Sequence, residues 1–432
     1  MPDEIDWFDE VPTPPIALPN GDGAEVVSFP KRGKRPPQPG WKKEWQLSSE
    51  GTPLTNLING NIALENHPML VGLVRFDLMD RRVIVQRNFS PNDPPAPRPI
   101  AEFDVLAIQE ELQRTGLRRI SKATTYDAIM MTANAHSFHP VKDYLNGLVW
   151  DGEQRCRGWL GRYLGVEGTT YSDAIGRMFL IAMVARIFEP GCQADYMLIL
   201  EGPQGARKST ACKVLAGDWF SDSLPDLSRG DAVRLSMHLR GKWLIEIAEM
   251  SSFSSAEVHT LKEFLTQKEE KYTPKYGRDE VVEPRQCVFI GTTNESVYLR
   301  DPTGARRFWP IKVGDIDIDE LRADRGQLFA EAVHLYRAGA EWFPDADFEA
   351  THIAPEQDAR YEEDAWQEMI TDWLSANART SCRVNEILKD VLGLAPGQFG
   401  TREQRRVSGV LTKLRWVCSK ANGARIYRRP EA

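Results

Sequence analysis

Cysteine is sparse in this 432-residue chain, and its placement offers neither metal nor disulfide chemistry. The six cysteines, at 156, 192, 212, 287, 382 and 418, lie far apart and form no C-x-x-C pair. That pattern excludes a zinc ribbon and a disulfide framework, and it fits a reducing compartment. His136 and His139 have no third ligand nearby in sequence, so a zinc site is not expected there either. Long apolar runs are also missing. The longest, Met178–Val184, is bracketed by Arg177 and Arg186 and is far too short to span a bilayer. The first 30 residues hold seven acidic side chains and no basic one, which is not how a signal peptide begins. A cytoplasmic protein without a membrane partner is therefore expected. The net charge of −8 excludes a uniformly basic nucleic-acid binder, yet Thr401–Ala432 is rich in Lys and Arg against two Glu.

Length predicts two to four domains. Residues 1–40 are rich in Pro, Gly and charge and are expected to be disordered. A small region of unknown role follows over 41–100, ending in the Pro-rich loop Ser90–Pro99. Helical apolar spacing over 101–193 predicts a helical domain. The stretch 194–345 alternates strands and helices, with strands expected at Tyr196–Leu200, Trp243–Ala248, Cys287–Thr292 and Phe308–Val313. An acidic linker is expected over 346–365, and a final small domain over 366–432.

The most telling segment is Leu198–Thr210, a buried strand feeding the pattern G-x-x-x-x-G-K-[ST]. Gly202, Pro203, Gln204, Gly205, Ala206, Arg207, Lys208, Ser209 and Thr210 would form a phosphate-binding loop and the first helical turn beyond it. Backbone N–H groups and the helix N-terminus suit anionic oxygens there. Lys208 would lie on the β- and γ-phosphates of ATP and Ser209 on Mg²⁺. The second glycine of the pattern is Arg207, which would either crowd the phosphates or contact one, and would need a torsion that glycine adopts cheaply. Downstream, Gly241–Glu249 is an apolar strand ending in an acid. Glu249 is the first choice to hold Mg²⁺ or polarise the attacking water, and Glu246 the second, read otherwise as an exposed strand residue. Asn294, at the tip of the next strand, would orient the attacking water or cap a turn. Arg306 and Arg307 precede another strand and suit either an arginine finger given to a neighbouring subunit or a solvated loop.

These elements, all between Leu198 and Val313, resemble a superfamily 3 helicase core of the AAA+ class. Together with Phe138–Leu145, Trp150–Gly152, Trp219–Asp222, Tyr276–Arg278 and Arg306–Pro310, they resemble more closely still the virulence-associated E family of prophages and genomic islands. It spans roughly Phe138 to Pro310. It implies an ATP-driven, helicase-like replication protein working as a ring, usually a hexamer, with host replication proteins among its candidate partners. By position, Lys208 and Ser209 match the Walker A residues, Glu249 the Walker B acid, Asn294 sensor 1 and Arg306/Arg307 the finger. A pre-sensor hairpin that touches single-stranded DNA in the channel would correspond to Lys271–Arg278, with Lys271, Lys275, Tyr276 and Arg278 as contacts. Arg207 departs from the family pattern. The alternative it raises is a protein that binds ATP, hydrolyses it poorly, and holds DNA or a partner.

Residues 366–432 read as a winged helix. Val407, Val410, Leu411 and Leu414 define one buried helical face, while Arg402, Arg405, Arg406 and Lys413 lie on the other. Asn422-Gly423 marks a two-residue hairpin turn flanked by Lys420, Arg425, Arg428 and Arg429. A basic helix beside a basic hairpin suits duplex DNA. The fold expected overall is α/β: a phosphate-loop ATPase core with a helical N-terminal region and a C-terminal winged helix.

Overall fold

A computed structural model describes residues 40–225, 232–250, 253, 255–273, 279–299, 305–361, 364–376, 379–421 and 424–429. The expected disorder of 1–40 thus concerns residues that, Gly40 apart, lie outside the described ones.

The chain first builds a module on its own core. Helix α1 (Leu57–Asn66) is started by Asn56, whose side chain accepts the Asn59 N–H. It is followed by strands β1 (Val74–Asp77), β2 (Arg82–Val85) and β3 (Arg98–Pro99), paired antiparallel in that order. Helices α2 (Glu102–Thr115) and α3 (Lys122–Ala135) close it. Trp45, Leu64, Val85, Ile108, Leu112 and Ile129 are buried together in one core. A division at residue 100 is therefore corrected: α2 and α3 bury their apolar faces against α1 and the small sheet, so the first packing unit runs to about Ala133.

The helices that follow belong to the central sheet. These are α4 (Pro140–Gly147), α5 (Trp159–Leu164) and α6 (Thr170–Phe188). His139 caps the start of α4 and accepts the Lys142 N–H through Nδ1 at 3.2 Å. Nearly all of α6 from Ile175 to Ile187 is buried, which an apolar helix with no polar face requires. The sheet is parallel, with order β10-β4-β9-β6-β5. Its strands are β4 (Met197–Glu201), β5 (Phe220–Ser221), β6 (Leu244–Ile247), β9 (Val288–Thr293) and β10 (Phe308–Lys312). Every residue of β4, β6 and β9 is buried, as expected of apolar strands covered on both faces. Helices α7 (Lys208–Ala216), α8 (Ala232–Leu239) and α9 (Ser255–Leu265) connect the strands. A two-stranded antiparallel hairpin, β7 (Glu269–Tyr272) with β8 (Val281–Pro284), precedes β9. Helix α10 (Ile318–Arg337) packs on α6 and α7.

The expected linker over 346–365 is also corrected. It holds α11 (Ala346–Phe348), a π turn at Glu349–Ile353 and α12 (Ala354–Asp358). Ile353 is fully buried in the sheet's core, and Gln357 Nε2 donates to the Phe308 carbonyl at 2.7 Å. The acidic composition of the segment conceals these inward-facing residues.

The C-terminal unit contains α13 (Ala365–Ala376), β11 (Ser381–Cys382), α14 (Val384–Asp390), α15 (Thr401–Lys413), β12 (Val417–Ala421) and β13 (Ala424–Arg428). Its strands form an antiparallel sheet in the order β11-β13-β12. Ile370, Ile387, Val407, Val410, Leu411 and Tyr427 share a separate small core. The register Ala421↔Ala424 leaves two residues for the turn, and Asn422-Gly423 themselves lie outside the described residues. Among the described residues no helix is long and apolar enough to cross a membrane.

Candidate functional site

The polar residues singled out in the sequence gather at the carboxyl edge of the parallel sheet, where ligands bind in open α/β folds. Gly202 leaves β4 with its N–H on the Thr293 carbonyl at 3.2 Å, which ties the loop to the end of β9. Gly202 also has no room for a side chain, since a Cβ would stand 2.8 Å from Val313 Cγ2. Pro203, Gln204 and Gly205 are exposed, and Gly205 has φ +83°. Arg207 takes the left-handed conformation, φ 63° and ψ 23°, directly before α7. The torsion that favours glycine is thus adopted by an arginine, at a cost of about 1–2 kcal/mol. The turn keeps its shape. Ser209 and Thr210 follow in the first turn of α7, where helix geometry leaves N–H groups without an intrahelical partner.

Lys208 is 8% exposed, and its ammonium is held by three oxygens. It donates to the Gly202 carbonyl at 2.6 Å, the Pro203 carbonyl at 3.0 Å and Asn294 Oδ1 at 3.0 Å. Burial lowers the Lys208 pKa from the ordinary lysine value, and the Glu246 carboxylate opposes that shift. Asn294 therefore does more than cap a turn: it touches the loop lysine across 86 positions of sequence.

Glu246 overturns its reading as an exposed strand residue. It is 1% exposed, in the middle of β6, and Oε1 accepts from Ser209 Oγ at 2.6 Å and Thr292 Oγ1 at 2.7 Å. Its other oxygen, Oε2, is buried with no hydrogen-bond partner among the described residues. One carboxylate oxygen beside a serine hydroxyl is a donor set that fits a hard divalent cation such as Mg²⁺. Glu249, the first choice from sequence, lies two residues beyond the strand, exposed, with φ 55°. The two acids thus occupy different settings, one against the Ser209 hydroxyl and one in the exposed segment that follows.

Arg306 and Arg307 are not part of this cluster. They form a 3-10 turn at the opposite, amino edge, because β10 begins at Phe308 beside Met197 while Lys312 lies beside Glu201. Five strand residues separate the two edges by roughly 16 Å, beyond an arginine's reach. The other candidates are scattered. Lys271, on β7, is exposed and paired with Glu269 at 2.8 Å; Lys275, Tyr276 and Arg278 lie outside the described residues. On α15, Arg402, Arg405 and Arg406 are exposed and Lys413 is half-buried, while Arg425 and Arg428 are exposed on β13. Thr292, Glu201, Tyr298 and Arg360 join the site or its immediate support without having been singled out. Two of them had a signal: Thr292 in the polar Thr-Thr-Asn tip of an otherwise apolar strand, and Glu201 as the acid that closes the strand before the phosphate loop.

The virulence-associated protein E-like domain family matches residues 145–363, half of the chain. The chain belongs to this family. The matched region begins in α4 and ends just past α12, so it takes in the parallel sheet, the candidate site and the helices packed on them. No curated protein matches. Among solved structures, the chain is similar to the apo structure of the NrS-1 C-terminal region (305–718), at 14% identity and a TM-score of 0.46, covering 82% of this chain and 95% of that one. The A form of the same region has 14% identity and a TM-score of 0.41 with the same coverage.

Proposed function

We propose that this virulence-associated protein E-like chain is an ATP-dependent, helicase-like DNA-binding replication protein of a mobile element. The observation that carries the reading is the convergence of Lys208, Asn294, Ser209, Thr292 and Glu246 on one loop at the carboxyl edge of the sheet. The strand order supports a core of the AAA+, superfamily 3 type. Lys208 and the amides at the start of α7 would hold the phosphates of ATP. Ser209 and Glu246 would hold Mg²⁺, which when bound neutralises charge developing on the transferred phosphoryl group. Asn294 would fix the lysine and orient the attacking water, and Glu249 would accept that water's proton. Arg306 and Arg307 would serve a neighbouring copy, which supports a ring, the hexamer being the form the resemblance implies.

The C-terminal unit, with three helices and a basic hairpin, supports a winged helix on duplex DNA: α15 in the major groove, the hairpin on the backbone. Single-stranded DNA would meet the β7–β8 hairpin in the channel. Host replication proteins are the remaining candidate partners.

The second reading, a protein that binds ATP but turns it over poorly, has Arg207 in its favour. Phosphate release with and without DNA tests both readings, on the native chain, Arg207→Gly and Lys208→Ala. Native turnover about a hundred-fold above Lys208→Ala, the loss typical of removing one preorganised donor, supports the motor. Native turnover equal to Lys208→Ala sinks it, and turnover regained in Arg207→Gly then establishes the second reading.

A further inference from the structure

Arg360 follows α12 at a position no motif marks, and it grips the residue that opens the phosphate loop. Its Nε donates to Glu201 Oε1 at 3.0 Å and Oε2 at 3.2 Å, and its Nη2 to Oε2 at 3.1 Å. Its Nη1 pairs with Glu356. Glu201 is 4% exposed and is the last residue of β4, adjoining Gly202. The Tyr298 hydroxyl donates to Glu201 Oε1 at 2.8 Å, and the Tyr298 and Leu299 N–H groups both donate to the Arg360 carbonyl at 3.0 Å. One buried cluster therefore joins the strand before the loop, the segment after Asn294 and the end of α12. A buried, multiply bonded ion pair of this kind fixes geometry more surely than it adds stability.

The same stretch of chain is held from the other side by α15. The ring of Tyr361 lies 3.2 Å from the Lys413 ammonium. Asp364 accepts from Arg406 Nε at 2.7 Å and Nη2 at 2.9 Å, and the Arg406 guanidinium also stacks 3.7 Å over Trp366. Arg406 and Lys413 are two of the cations assigned above to duplex DNA. A phosphate and the Asp364 carboxylate compete for the same edge of Arg406, since both are matched bidentately by a guanidinium.

We propose that Arg360 is a positioning residue for the phosphate loop, acting through Glu201, and that a nucleic-acid phosphate taking Arg406 from Asp364 is felt at the loop through Tyr361 and Arg360. This deepens the function proposed above and rests on it. The path runs from α15, which carries both Arg406 and Lys413, through the Lys413 contact with Tyr361 to Arg360, Glu201 and Gly202. Coupling of this kind is reciprocal, so DNA must change nucleotide affinity by the same factor as nucleotide changes DNA affinity.

The test uses the full chain, a fluorescent ATP analogue and a short DNA duplex, with each titrated alone and in the presence of the other. In the native chain each ligand should shift the other's Kd by about five-fold or more, the lower range of measured couplings. Asp364→Asn should bring that factor towards one while the duplex binds more tightly, because Arg406 has lost its competing carboxylate. Glu201→Gln should also bring the factor towards one without a change in duplex affinity. A native factor of one, or variants that keep the native factor, overturns the proposal. If Glu201→Gln fails to fold, by its thermal melt, the partly exposed Asp364 decides alone. A native chain that binds neither ligand is a different result: it removes the proposed function, and the coupling falls with it.

Discussion

The two edges of the parallel sheet are built from similar residues but partner them differently. At the amino edge, where β6 and β9 begin, Arg285 and Arg240 are each matched to a carboxylate, while the buried Arg186 beside them keeps an Nε with no hydrogen-bond partner among the described residues. Arg285 has a fully buried side chain that donates to the Phe264 carbonyl, Gln267 and Glu270 and lies 4.3 Å from the Phe264 ring centre. Arg240 meets Glu283, which also accepts from Tyr272. At the carboxyl edge the arrangement is strained and incomplete: Arg207 and Glu249 at positive φ, and a Glu246 oxygen with no protein partner among the described residues. Natural proteins tolerate such violations where a ligand or a reaction uses them, and complete their networks where only structure is at stake.

Four changes probe that difference, from the largest expected effect to the smallest. Replacing both Arg306 and Arg307 by Ala should lower ATP turnover about a thousand-fold, roughly 4 kcal/mol, with little loss of stability. Mixing this variant with Lys208→Ala should recover part of the turnover, since each supplies the edge the other lacks; no recovery at any mixing ratio would exclude action between subunits. Arg285→Ala should instead act on stability, leaving Glu270 buried and uncompensated at a cost of about 3–5 kcal/mol. A melt that moves by less than a degree would show that the pair carries no such role.

Arg207→Gly relieves the left-handed torsion but adds backbone freedom to the unfolded chain, so denaturant titration should show a gain of at most about 1 kcal/mol. The smallest effect concerns His139, whose pKa is lowered from 6.5 chiefly by burial. Its Nε2 bonds Gln286 Oε1 at 2.8 Å while Nδ1 accepts the cap hydrogen bond, an arrangement that requires the neutral ring. Because the unfolded chain takes up the proton first, stability is full above 6.5 and declines as the pH falls below it. His139→Asn keeps a capping side chain and should flatten that decline; an unchanged slope would assign it to other groups.

The sheet was legible because its strands are continuous apolar runs bounded by turn residues: β4, β6, β9 and β10 each begin or end within a residue or two of the expected limits. The phosphate loop was legible because its spacing is local. Glu246 was not, since an acid inside a strand usually faces water, and its partners Ser209 and Thr292 lie 37 and 46 positions away. The first packing boundary was missed for a related reason. Helical periodicity reports that α2 and α3 have an apolar face, but not that α1 and β1–β3 cover it. Glu201 and Arg360 are 159 positions apart and Arg360 carries no motif, so only folding brings them together.

Lys208 already has occupants for its three hydrogens, two of them carbonyls of its own loop. An anion that arrives there must evict them, and a lone phosphate or sulfate has few oxygens with which to compensate. The chain of phosphates in the proposed ATP ligand would instead reach the lysine, the helix start and the Ser209 side at once. The lysine's own grip on the loop would thus act as a filter, keeping common small anions out of a site that faces solvent at their ordinary cellular concentrations.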